Sequence, residues 1–245
     1  MIKLFRKIRQ QLLTENKFNK YLLYAIGEII LVVIGILIAL QINTWNEDDK
    51  KRSLKESYLK ALIVDLSKDT IEINNVLSYQ IKDSLKIATH QLALTKEDAS
   101  LEDLLNIKVY DWNPKITNLQ RFNTNTAEAL VSTGNINLID SGILNYMTNL
   151  RGLQEAHISS IIPFTEFYRN IGDPAVHTPT SSTVINKGPI FNKMLKSMDK
   201  MAIAYKFNGR LSIKRQAYRN STRNLNKILL ETKALIKLIE GKIKP

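Results

Sequence analysis

The chain has 245 residues, 44% of them hydrophobic, with 35 Lys and Arg against 23 Asp and Glu, a net charge of +12 and no cysteine. Disulfides are excluded, and the lack of cysteine is compatible with an oxidising compartment. A basic chain raises nucleic acid as a partner, but aromatics are few (7%) and the charges are spread along helical stretches; a solvated helix face accounts for them and no nucleic-acid partner is expected.

Residues 1–20 form a basic tail, with Lys3, Arg6, Lys7, Arg9, Lys17 and Lys20 against one acid, Glu15. Phe5, Ile8 and Leu12 fall at i, i+3 and i+7, so this segment can lie on an anionic inner leaflet. A mitochondrial presequence shares the basic, acid-poor character and stays open as an alternative.

Residues 21–44 are the predicted transmembrane helix. The run YLLYAIGEIILVVIGILIALQINTW has one acid, Glu28, and no base. At about 1.5 Å per residue it can cross a hydrocarbon core of roughly 30 Å. Tyr21 and Tyr24 at one end and Trp45 at the other stand where amphipathic rings prefer the headgroup layer. The run exceeds the roughly 7–15 apolar residues of a cleaved signal peptide and no small-residue cleavage site follows, so an uncleaved signal-anchor is predicted. The second flank is basic too, with Lys50, Lys51, Arg52, Lys55 and Lys60. A short basic tail resists translocation whereas long domains cross largely regardless of charge. The N-terminus is therefore placed in the cytoplasm and residues 45–245 outside.

The stretch MIKLFRKIRQQLLTENKFNKYLLYAIGEIILVVIGILIALQINTWNE, residues 1–47, resembles the opening of an uncharacterised family of single-pass membrane proteins from Gram-negative bacteria. A shorter likeness, TAEALVSTGNINLID, covers residues 126–140. Members of that family are known only by a domain of unknown function. The resemblance implies a bacterial inner-membrane anchor and a largely helical domain, here expected in the periplasm. It implies no activity and no catalytic residues.

At 100° per residue, Glu28, Gly35 and Ala39 share one stripe of the membrane helix. Small residues four apart allow close helix approach, and an acid in a bilayer normally faces protein. These three residues are the expected helix-association site, for a second copy or a membrane-protein partner. The same acid admits another reading, a proton carrier in a stator-like subunit of an ion-driven machine. Against it, such subunits usually carry Asp and an α/β outer domain.

No Gly or Pro occurs from Ile36 through Asn113, which removes the commonest helix breakers. Leu54, Tyr58, Leu62, Leu66, Ile73, Leu77 and Ile81 keep an approximately helical spacing, predicting one near-continuous helix over about 18–94, although Glu47, Asp48 and Asp49 could also open a new helix after a break near Asn46. Ser100-x-x-Asp103 reads as a capping box opening a short helix. KVYDWNPKITN reads as a loop, with Asn113 held off helix by Pro114. A short helix over 125–133 stops at Gly134, and another starts near Ser141, with Pro163 kinking or ending it.

Residues 172–189, GDPAVHTPTSSTVINKGP, are the clearest long loop. After it comes the strongest amphipathic helix. Leu211, Tyr218, Leu225, Thr232 and Ile239 recur every seven residues, and Lys214, Arg215, Arg219, Arg223, Lys227, Lys233 and Lys237 occupy much of the polar remainder. The fold class expected is all-α: one N-terminal transmembrane helix continuous with the first long helix of an elongated extracytoplasmic bundle at 45–245. Coiled-coil packing belongs to that expectation.

His90, His157 and His177 are isolated, without metal-ligand spacing, and no G-x-S-x-G or P-loop occurs. No catalytic, cofactor or metal residue is predicted, and no enzyme. The expected role is a non-enzymatic membrane protein whose helical domain mediates assembly or binding, with the lipid bilayer as one partner. The alternative is a transmission element relaying a periplasmic signal through the membrane helix to a partner.

Overall fold

The computed structural model describes residues 18–171, 187–197 and 199–243, and among these there are helices and connections but no strands. The helices are α1 (Phe18–Leu94), α2 (Leu101–Asn106), α3 (Asn125–Ser132), α4 (Ser141–Asn170), α5 (Pro189–Ser197) and α6 (Lys200–Ile243). A π-helical turn, Ile107–Asp111, follows α2, and a 3-10 turn, Asn135–Leu138, follows α3. Most of the long loop lies outside the described residues, as does His177 within it.

Two compact units divide the chain, Met1–Ser57 and Tyr58–Pro245. In the first unit α1 is exposed along its apolar length, from Leu23 (75%) to Trp45 (63%). It is the one helix among the described residues long and apolar enough to cross a membrane.

The second unit holds the core. One cluster joins Leu59, Leu62, Leu66, Ile73 and Leu77 of α1 to Leu130 of α3, Ile143 and Leu150 of α4, and Leu225, Ile228, Leu235 and Ile239 of α6. A second gathers Ile87, Trp112, Tyr168, Phe207, Leu211 and Tyr218, with Trp112 edge-on to Phe207 at 5.3 Å between ring centroids. Burying these side chains drives the helices together, since single α-helices of this composition gain little alone.

Local rules explain the ends. Ser100 accepts from the Asp103 N–H, and Asp103 accepts from the Ser100 N–H at 2.8 Å, a complete capping box. Gly134 closes α3 at φ +72°, a left-handed conformation that glycine adopts without steric cost.

Three expectations need correction. Residues 108–111 of the KVYDWNPKITN stretch are not loop: the Trp112 N–H donates to Ile107 O at 2.7 Å, closing a π turn that swings Trp112 into the core. Pro163 does not end its helix, because α4 continues to Asn170. Within the helically spaced series, Leu54 and Ile81 are exposed at 41% and 53%, and Gln80, beside Ile81, takes the inward position. Lys214 is not on the solvated face of α6 but fully buried, because Asp83 and the rings of Trp112 and Tyr218 receive its ammonium.

Candidate functional site

A cleft of about 560 Å³ opens in the second unit. Its wall is largely apolar: Leu62 and Leu66 of α1, Val131 of α3, Met147 and Leu150 of α4, and Leu235 of α6. Asp65 and Asp69 of α1 form a polar strip along it.

These two acids sit one helical turn apart, so both face the connection into α3. Asp65 Oδ2 accepts from the Thr126 N–H at 3.0 Å and from its hydroxyl at 2.6 Å. The residue before α3, Thr124, makes no cap bond of its own. A carboxylate on α1 therefore caps α3 from outside, where a helix N-terminus has unpaired N–H groups and favours negative charge. Asp69 Oδ1 accepts from the Asn123 N–H at 2.9 Å and from its side-chain amide at 2.6 Å. Its second oxygen, Oδ2, is buried without a hydrogen-bond partner, and the residue is 1% exposed. Burial raises the Asp69 pKa above the ordinary carboxylate value; the Asn123 bonds oppose it, and the charges of Glu72 and Asp65 add to it.

Chemically the cleft offers an apolar surface of small-ligand size with one unsatisfied acceptor at its wall. Its mouth carries Glu128, Arg151 and Thr148; Glu128 accepts from the Thr124 hydroxyl, and Arg151 pairs with Glu155 on α4.

A second polar network lies farther along α1, at Asp83. Lys214 Nζ is 2.6 Å from Asp83 Oδ2, which also accepts from the Tyr218 hydroxyl at 2.9 Å. The ammonium donates to Asn113 O and lies 4.5 Å from the centre of the Trp112 ring. Burial lowers the Lys214 pKa and Asp83 opposes it. Gln80 donates to Thr117 O and to the Ser221 hydroxyl. These bonds tie α1 to α6 through the connection that precedes α3.

The sequence-predicted site residues are elsewhere. Glu28, Gly35 and Ala39 are exposed on α1, and a Cβ at Gly35 would meet nothing within 4 Å. Tyr24 and Trp45 are exposed on the same helix. Tyr21 and Lys20 lie in α1 without described side chains, and Lys3, Arg6, Lys7, Arg9 and Lys17 fall outside the described residues. His90 Nε2 is 3.5 Å from Asp111, and His157 is fully buried. The buried polar residues of α1 were missed, although a signal existed: Asp69 of the cleft, and Gln80 and Asp83 of the second network, interrupt the inward series Leu66, Ile73, Leu77 and Ile87 at helical steps.

The fold is therefore that of an all-α protein with one candidate membrane-crossing helix among the described residues. A family of unknown function, DUF6090, matches residues 28–172, more than half of the chain, and the protein belongs to that family. No curated protein and no solved structure matches it. Every cleft residue except Leu235 falls within the matched span.

Proposed function

We propose that this is a non-enzymatic inner-membrane protein, held by residues 21–44 with its N-terminus in the cytoplasm, whose periplasmic helical domain at 45–245 acts by binding. The observation that carries the reading is a contrast within α1. Its first stretch leaves Leu23, Leu31 and Leu37 exposed at 59–75%, whereas from Leu59 onward the same helix buries its inward leucines and isoleucines. An uninterrupted exposed apolar cylinder is disfavoured in water and favoured in lipid. The cleft supports the binding half of the reading, as a well-formed apolar concavity with a convergent polar group is the usual place for a ligand.

A relay role is a second reading, favoured by the continuity of α1, which supplies both the membrane stretch and the Leu62–Asp69 wall of the cleft. Protease treatment of spheroplasts tests the topology. Digestion of residues 45–245 from outside is the expected result, and full protection until lysis contradicts it.

A further inference from the structure

On the other side of α1 from its core residues, Ile81, Leu85, Ala88 and Leu92 are all exposed, the three larger ones at 53%, 65% and 71%. Their separations of four, three and four residues align them in one apolar stripe. Alongside runs α6, which presents Arg215, Arg219 and Arg223 at intervals of four, all exposed. Ile81, Leu85 and Ala88 line a common groove with the three arginines within the second unit. None of the three arginines forms an ion pair among the described residues; Arg215 donates to the neutral amide of Gln91 and Arg223 to that of Asn220.

We propose that this groove docks an amphipathic helix of another protein, apolar on its inner face and acidic along the edge that meets α6. Apolar side chains at this spacing are what a helix lying in a groove requires. A row of guanidiniums beside them selects carboxylates, which they bind bidentately. A second copy of the chain fits badly: a twofold contact through this groove sets the arginine row against itself, and like charges across an interface are unfavourable. A purely polyanionic ligand has no use for the leucines. The proposal goes beyond the cleft and does not depend on which side of the membrane the domain faces.

The test uses the full chain in phosphatidylcholine nanodiscs and a labelled designed peptide of about three heptads, with leucine at the apolar positions and glutamate beside them. Two control peptides carry lysine for glutamate, or serine for leucine. Anisotropy should show saturable binding of the acidic peptide, at least tenfold tighter than either control, and weakening as salt rises. Reversing the row (Arg215→Glu, Arg219→Glu, Arg223→Glu) should cost about tenfold and move the preference to the lysine peptide. Leu85→Asp should abolish binding. All four positions are exposed, so folding is not at stake, and thermal melts should confirm it. Equal binding of the serine peptide, indifference to the charge reversal, a dimer that Leu85→Asp dissolves, or binding instead to phosphatidylglycerol vesicles would each overturn the proposal.

Discussion

Lys214 and Asp83 meet at 2.6 Å with the lysine side chain wholly out of solvent, joining the long C-terminal helix to the one that carries the apolar stretch. Removing one partner strands the other charge in a place where water cannot reach it. Lys214→Met should therefore destabilise the domain by about 3–5 kcal/mol, whereas the double variant Asp83→Leu, Lys214→Met should recover most of that loss. Denaturant unfolding of both variants checks this. Equal loss in the single and the double variant would show that the pair itself, rather than the unpaired charge, carries the stability.

His157 predicts an acid limit. It is fully buried, packs edge-on against Phe122 at 6.3 Å, and burial lowers its pKa to about 4, with the Leu119 backbone pulling weakly the other way. An unfolded chain takes up that proton near pH 6.5, the folded one only near 4. Stability from this group is thus full above pH 6.5 and falls as the pH drops toward 4, by about 3 kcal/mol in total. His157→Leu should flatten the stability curve across that window, measured by urea unfolding at several pH values.

Asp65 and Asp69 separate by the same measurement. Asp65→Ala removes the outside cap of α3 and should cost about 1–2 kcal/mol, with faster amide exchange over residues 125–132. Asp69 behaves oppositely, because its pKa is raised by burial. Its folded form takes up a proton more readily than the unfolded chain, so it adds stability as the pH falls through its raised pKa toward the ordinary value. Asp69→Asn keeps an acceptor for Asn123 and should leave stability at neutral pH unchanged or higher, while removing that acid-side gain.

Glu28 bears on assembly. With Gly35 and Ala39 it forms an exposed stripe on α1, and Glu28→Leu should weaken helix association in the membrane by about 1 kcal/mol, roughly fivefold. Cross-linking through the membrane helix at matched expression reads the change, and an unaltered dimer yield would discard the stripe as an interface.

How far the residues alone reach is clear from α1 and α6. The apolar spacing and the lack of glycine or proline from Ile36 onward predicted a helix over about 18–94, and α1 spans Phe18–Leu94. The heptad from Leu211 to Ile239 is buried at every step, including Thr232, whose hydroxyl bonds back to Ile228 O. What stayed hidden was polar and long-range. Lys214 reads as one more surface lysine until Asp83, more than a hundred positions earlier, is seen to oppose it. The cleft was illegible for a similar reason: its walls come from four helices, and nothing in the local pattern shows where they converge.

The anchor is the claim on which everything else rests, and alkaline carbonate extraction of membranes bearing the full-length chain tests it most directly. The protein should stay in the membrane pellet, and replacing Ile30, Val33 and Leu37 with lysine should move it to the supernatant. Release of the unaltered chain by carbonate alone would contradict the anchor.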